Sequence, residues 1–100
     1  MPILICYDIS KNSLRNRLGQ KILEYGLDRI NKSVYLGSIA DNALTKLEKD
    51  LADQLLQKGQ PQDSLIILPV NAQHIQDMRI YGQNDLDKAE ISGDKSTLIV

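Results

Sequence analysis

Residues 3–10 have the sequence Ile3-Leu4-Ile5-Cys6-Tyr7-Asp8-Ile9-Ser10, an apolar run with one carboxylate, Asp8, near its end. This run predicts a short strand that is buried on both faces. No turn residue precedes Asp8, and Ile9 follows it directly. Because an unpaired buried carboxylate is very costly, Asp8 needs a hydrogen bond, a cation or a partner charge. Asp8 and Ser10 are also typical caps for a following helix, so a structural interpretation of Asp8 stays open beside the functional one.

The next segment predicts an amphipathic helix that ends at Gly26, a residue typical of the position after a helix. Two cations, Arg15 and Arg17, lie near its amino-terminal turn and off its apolar face, where they oppose the helix dipole. A solvated helix face explains them, and an anion held near the helix start is the alternative. The apolar face follows helical spacing through Leu14, Leu18, Ile22 and Tyr25.

The remaining elements follow from apolar patterns and turn residues. Residues 29–39 are extended, with a tight hairpin favoured around 31–33. A second helix begins at Asp41 or Asn42 and ends before Gly59 and Pro61. Later strands are predicted over 64–70, 78–81 and 98–100, with a polar loop over 82–97.

The order of these elements predicts an α+β protein. With the hairpin, the chain is a ferredoxin-like split βαββαβ sheet with two helices on one face and an extra C-terminal strand; without it, the first three strands would be parallel. One hundred residues make a single domain over 1–100. Strands that are apolar on both sides, combined with helices on one face only, leave an apolar face uncovered. A second copy of the chain would cover it, so we expect a homodimer.

Composition narrows the function classes. The net charge is −1, but residues 1–35 hold six basic and three acidic residues (+3), whereas residues 36–100 hold six and ten (−4). A basic amino-terminal part is compatible with a polyanionic partner. One cysteine and one histidine, Cys6 and His74, do not make a zinc site, and we interpret them as a small buried hydrophobe and a surface residue. No apolar run approaches the length of a membrane span, so we expect a cytoplasmic protein without membrane contact.

Four segments together carry a family resemblance: Tyr7-Asp8-Ile9-Ser10, Leu14-Arg15-Asn16-Arg17-Leu18, Tyr25-Gly26-Leu27-Asp28-Arg29-Ile30 and Ser33-Val34-Tyr35-Leu36-Gly37. With the later segment 63–70 they resemble the small CRISPR-associated adaptation protein, the partner of the spacer integrase. The resemblance spans nearly the whole chain. It departs from the family pattern at Tyr35, where phenylalanine is usual, and at Asn31-Lys32 before Ser33.

The resemblance implies a ferredoxin-like homodimer whose C-terminal strands add to the partner subunit. It implies that Asp8 from each subunit binds a divalent cation, Mg²⁺, for phosphodiester cleavage in RNA or DNA. It further implies that Tyr7, Ser33 and Tyr35 line this catalytic region. The basic positions that it implies for phosphate contact are Arg15, Arg17 and Arg29.

The function predicted from this resemblance is that of a CRISPR adaptation subunit in antiviral defence, with metal-dependent endonuclease activity. One carboxylate per chain and no evident general base predict a slow nuclease at best. Two alternatives stay open. The first is a non-catalytic nucleic-acid-binding scaffold of the integrase complex, and the second is a toxin-type endoribonuclease of a related ferredoxin-like group.

Overall fold

The structure is a computed structural model that describes residues 1–82. The predicted loop over 83–97 and the strand over 98–100 lie outside these residues. The elements in chain order are β1 (Pro2–Asp8), α1 (Asn12–Glu24), β2 (Asp28–Asn31), β3 (Val34–Ser38), α2 (Asp41–Lys58), β4 (Ser64–Pro69) and α3 (Ala72–Asp77).

The four strands form one antiparallel sheet in the order β2-β3-β1-β4. β2 and β3 are joined by a two-residue connection, Lys32-Ser33, so the favoured hairpin and the ferredoxin-like fold are confirmed. Asn31 stabilises this turn by accepting a hydrogen bond from the backbone N–H of Lys32 at 2.7 Å.

The hydrophobic core lies between one face of the sheet and the helices α1 and α2. Alternate residues of β1 point into it, which is the period expected of a strand. The predicted apolar faces of both helices supply the other half, although Tyr25, Leu44 and Leu55 lie at its margin. The buried helix residues are Leu14, Leu18, Ile22, Leu47 and Leu51.

The opposite face of the sheet is only partly covered. In β1 it presents Leu4, Cys6 and Asp8, since these alternate with the core residues. The short helix α3 covers one side of this face, where Ile75 packs beside Leu36. The expectation that no third element covers the second face is therefore wrong in part.

Helix α3 was not predicted, and the strand predicted over 78–81 is wrong. Asn71 begins α3 with a capping box: its side chain accepts from the backbone N–H of His74 at 2.8 Å, and His74 Nδ1 accepts from the backbone N–H of Asn71 at 3.3 Å. His74 is exposed, as expected. Only one residue of α3, Ile75, is buried, so a polar sequence conceals the helix. After Asp77 the described chain has no regular structure and joins no strand of the sheet.

Among the described helices, none combines the length and apolar character needed to cross a bilayer.

Candidate functional site

Asp8 is the last residue of β1 and is exposed. Its position in the strand places it on the partly uncovered face, in register with Ser64 at the start of β4. Its neighbours along this face are apolar: Cys6 lies in register with Val34 on one side and with Ile66 on the other. Asp8 therefore marks the polar end of an otherwise apolar surface.

We define the open face as Cys6, Val34, Ile66 and Leu68, since Leu4 packs against the cluster of Leu36 and Ile75 that α3 covers. Ile66 and Leu68 lie on β4, an edge strand of the described sheet, and are 55% and 51% exposed, although both are large aliphatic residues. Exposed apolar surface of this kind marks an interaction site more often than it marks ordinary protein surface. Cys6 lies within this face and is half-buried, so its interpretation as a hydrophobe fits its surroundings.

One chain does not by itself fit a magnesium site. Mg²⁺ requires an octahedron of oxygen atoms and is usually held by one or two carboxylates, waters and substrate phosphates. Asp8 offers one carboxylate, and within residues 1–82 no three His, Cys, Asp or Glu side chains are grouped so that they could hold a metal ion. Further donors would have to come from a second molecule.

Tyr7 and Tyr35 lie on the other face of the sheet, inside the core. They are 7% and 2% exposed, and their ring centroids are 5.8 Å apart. Their hydroxyl groups are hydrogen-bonded at 3.0 Å, and Tyr7 Oη also donates to the backbone carbonyl of Arg15 at 3.3 Å. Burial, followed by the hydrogen bond with Tyr35, raises the pKa of Tyr7 well above its ordinary value. The Tyr7 hydroxyl is therefore protonated at neutral pH.

Ser33 lies in the β2–β3 turn, where its carbonyl accepts from the backbone N–H of Tyr7 at 3.1 Å. The structure brings Tyr7, Ser33 and Tyr35 together. It does not bring the two tyrosine side chains to Asp8, because adjacent residues of a strand point to opposite faces. Tyr7 and Asp8 are adjacent in β1 and so cannot share a surface.

The predicted basic residues divide into two groups. Arg15 and Arg29 line a cleft of about 410 Å³ between α1 and the β2–β3 hairpin, together with Lys32 and the two buried tyrosines. Arg15 Nη1 donates to the carbonyl of Ile9 at 3.2 Å, and Arg29 Nη2 donates to the carbonyl of Lys32 at 2.9 Å. Both guanidinium groups are thus held in place by backbone atoms.

Arg17 is exposed and lies nearer the start of α1. It borders a small hollow of about 60 Å³ together with Lys11 and with Lys58, the last residue of α2. The first turn of α1 holds no acidic residue, and its cap residue Lys11 makes no side-chain capping bond, so the predicted side-chain cap is absent there. Lys58 could not be assigned from sequence, because it is distant in the chain and only the packing of α2 brings it near.

Asp63 is the functional candidate that sequence reasoning missed. In the structure it is half-buried, and its Oδ1 accepts from both the backbone N–H and the hydroxyl of Ser10, at 3.0 and 3.1 Å. Its Oδ2 accepts from the backbone N–H of Gln60 at 2.8 Å. These hydrogen bonds lower the pKa of Asp63, and the one from the backbone N–H of Gln60 has the largest effect. Asp63 therefore ties the end of β1 to the turn before β4.

Comparisons with known proteins identify the family of this chain. The model of the family described as "CRISPR associated protein Cas2" matches residues 1–78. A CRISPR-associated endoribonuclease Cas2 of Aeropyrum pernix is 37% identical over 71 residues, which are 67% of this chain and 72% of that protein. The CRISPR-associated endoribonuclease Cas2 2 of Pyrobaculum aerophilum is 36% identical over 55 residues, so this match spans 55% of this chain and about half (56%) of that relative.

Among solved structures, Streptococcus pyogenes Cas2 at pH 6.5 superposes with a TM-score of 0.70 over 82% of this chain and 100% of that one, at 17% sequence identity. At that identity the superposition establishes the fold. The match of the family model over most of the chain, and the relative from Aeropyrum pernix, establish the family. The chain belongs to the CRISPR-associated Cas2 family.

Proposed function

We propose that this protein works as a homodimeric, nucleic-acid-binding subunit of CRISPR adaptation and cleaves phosphodiester bonds at a site built from Asp8 of both subunits. The observation that carries this proposal is the position of Asp8 at the end of the open face. A second copy packed on this face about a two-fold axis would bury Ile66 and Leu68. The same packing would bring a second Asp8 to the interface.

Two Asp8 carboxylates, with water, supply the oxygen donors that one chain lacks for Mg²⁺. When bound there, the ion would supply an activated water and neutralise charge on the scissile phosphate. The exposure of Asp8 supports this role, since a phosphodiester can approach it. The names of the relatives, which are endoribonucleases, support cleavage of RNA as the first activity to test.

The tyrosines have a supporting role in this proposal. Because Tyr7 and Tyr35 are buried and hydrogen-bonded to each other, neither hydroxyl can accept a proton from water beside Asp8. Tyr7 instead holds the backbone of α1 at Arg15. We therefore reassign both tyrosines from catalysis to the positioning of α1.

The basic surface supports binding of a phosphate backbone. Arg29 and Lys32 border the cleft beside α1, and Arg17 borders the hollow that it shares with Lys11 and Lys58. Contacts of this kind are independent of base sequence and weaken as salt is added. In this role the protein serves the cytoplasmic integrase complex by holding a nucleic-acid duplex. The scaffold function needs the basic surface and the homodimer, but it does not need the Asp8 carboxylate.

Replacement of Asp8 with asparagine tests the nuclease part of the proposal. Glu48→Gln is a matched control, since it removes one charge from an exposed position of α2. Labelled RNA and DNA are incubated with each purified dimer, with Mg²⁺ or with a chelator. We expect Asp8→Asn to lower the cleavage rate by about 10²-fold or more and Glu48→Gln to leave it unchanged. Undiminished, chelator-resistant cleavage by Asp8→Asn would refute a nuclease centred on Asp8.

Spacer acquisition separates the two functions. The scaffold interpretation predicts that Asp8→Asn still joins the integrase and supports acquisition, whereas Arg17→Glu does not. If acquisition is lost in Asp8→Asn while its dimer and its nucleic-acid affinity are intact, cleavage is part of the adaptation function.

A further inference from the structure

Within the described part of the chain, the carboxylate of Asp8 has no direct support of its own. Among residues 1–82, no group donates a hydrogen bond to it and no cation pairs with it. Its position is therefore set by the backbone of β1 and by whatever fixes the segment that follows. The ladder between β1 and β4 reaches its last pair at Asp8 and Ser64. Beyond that pair, other contacts must hold the chain.

Two side chains from outside β1 hold this segment from its two sides. Asp63 accepts from the backbone N–H of Ser10 at 3.0 Å and from its hydroxyl at 3.1 Å. Arg15 donates to the carbonyl of Ile9 at 3.2 Å. Between these contacts, Ile9 is anchored in the core at 2% exposure. The peptide that joins Ile9 to Ser10 is thus bonded at its carbonyl and at its N–H.

Asp63 is itself held firmly enough to act in this way. Its second carboxylate oxygen accepts from Gln60 N–H at 2.8 Å, and its own backbone N–H donates to the carbonyl of Gln60 at 3.0 Å. These two bonds close the turn between α2 and β4. Because β4 pairs directly with β1, the carboxylate of Asp63 is aligned with the end of β1 by the sheet itself.

We propose that Asp63 is a positioning residue for Asp8: its carboxylate extends the β1–β4 ladder by one side-chain contact and fixes the Ile9–Ser10 backbone. This inference rests on the proposed function of Asp8. Sites of this type require their groups to be held within a fraction of an ångström, and a displacement of about 1 Å costs roughly 10²-fold in rate. Loss of Asp63 should therefore lower turnover without weakening the binding of nucleic acid.

The test compares Asp63→Ala, Asp63→Asn and Asp63→Glu in the full-length dimer. Asparagine keeps one acceptor oxygen but sets its NH2 group against the N–H of either Ser10 or Gln60, glutamate keeps the charge but moves it by one methylene, and alanine removes both acceptors. Asp53→Ala is the matched control, since Asp53 is an exposed aspartate of α2 that pairs with Lys49 one turn away. We measure RNA cleavage with Mg²⁺, and amide hydrogen exchange at Ser10 in the metal-free protein.

We expect Asp63→Ala to lower kcat by about 10- to 100-fold with KM unchanged. Asp63→Asn should recover part of this loss, because its one oxygen can accept from Ser10 or from Gln60 but not from both. Exchange at Ser10 should be fastest in Asp63→Ala, intermediate in Asp63→Asn and close to wild type in Asp53→Ala. Should Asp63→Ala not fold, Asp63→Glu gives the same comparison, since its displaced oxygens should also lower kcat and raise exchange at Ser10.

Two outcomes overturn the inference. The first is wild-type kcat in the Asp63 variants while Asp8→Asn is inactive, which leaves the proposed nuclease standing. The second is unchanged exchange at Ser10 in Asp63→Ala or Asp63→Glu, which removes the structural basis whatever Asp8 does. If Asp8→Asn cleaves as wild type, the proposed function fails, and the exchange result then decides alone whether Asp63 fixes this backbone.

Discussion

Replacing Gly19 with alanine should destabilise the protein, although alanine is the better helix former. Gly19 lies buried in α1 above the tyrosine pair. A Cβ atom added at this position would lie 2.6 Å from Tyr35 Oη and 3.1 Å from Tyr7 Oη. The shorter distance is well inside van der Waals contact, so the tyrosine hydroxyl or the helix must move.

Two opposing contributions set the change in the free energy of unfolding that Gly19→Ala causes. The change from glycine to alanine inside a helix is favourable by about 1 kcal/mol. Forcing an extra methyl group into a packed core costs about 1–3 kcal/mol. The sum is a loss of about 1 kcal/mol in the free energy of unfolding. For a domain of this size, that is a fall in Tm of about 4–8 °C.

Replacing Tyr35 with phenylalanine should reverse the sign of the effect of Gly19→Ala on stability. Without that hydroxyl, the nearest atoms to the new Cβ are Tyr7 Oη at 3.1 Å and the Tyr35 ring carbon Cζ at 3.6 Å. The contact with Tyr7 Oη is still tight, so a smaller packing cost remains beside the gain in helix propensity. Gly19→Ala should therefore stabilise the Tyr35→Phe protein by up to about 1 kcal/mol.

Denaturant unfolding of the four proteins of this double-mutant cycle measures the coupling, which we expect at about 1–3 kcal/mol. Gln20→Ala, an exposed change in the same helix, is the control for propensity. An equal effect of Gly19→Ala in both backgrounds would show that the tyrosine hydroxyl does not limit the space at Gly19, and it would refute the packing argument.

Three further predictions concern the surface and the pH response. Leu68→Lys should convert the proposed dimer to a monomer that keeps its fold, because Leu68 belongs to the open face and is 51% exposed. Light scattering measures the oligomeric state and circular dichroism measures the fold. A dimer that persists in Leu68→Lys would contradict the proposed interface. Arg17→Glu should weaken nucleic-acid binding and lower its salt dependence, whereas Lys46→Glu on α2 serves as the charge-matched control; equal effects of the two would point to net charge alone. Asp63 has a lowered pKa in the folded protein, so its contribution to stability is present above its unfolded pKa and is lost as pH falls through the folded value. The free energy of unfolding should therefore fall less steeply at acid pH in Asp63→Asn than in the wild type. An unchanged slope would contradict the lowered pKa of Asp63.

Much of the fold could be predicted because its signals are local. The apolar run of β1, the helical spacing from Leu14 to Ile22 and the turn residues near Asn31 each act within a few residues. Helix α3 could not be predicted in this way, since Ile75 is its only buried residue. Its stability comes from the capping box at Asn71 and from contact with Leu36, which is distant in sequence.

The candidate site was harder to predict than the fold. Asp8 was selected because a carboxylate inside an apolar run was expected to be buried and to need a partner. That expectation is wrong, since Asp8 ends β1 and is exposed to solvent. The contact between Asp63 and Ser10 joins residues 53 positions apart, and nothing in either segment indicates it. The grouping of Lys58 with Arg17 likewise depends on the packing of α2 beside α1. Sequence patterns identify residues with unusual requirements, but they do not show which distant residue meets them.

The different roles of Tyr7 and Asp8 show why strand register matters for this protein. The two residues are neighbours, yet one is buried under α1 and the other is exposed on the open face. A slip of one residue in β1 would exchange them, since side chains alternate across a sheet. It would bury an unpaired carboxylate and expose a tyrosine, at a cost of several kcal/mol. Pairing with β3 and β4 on both sides excludes that slip along the strand, and the contact of Asp63 with Ser10 extends the same register beyond its end. The exposure of Asp8 at the end of the open face is therefore a consequence of how β1 is aligned.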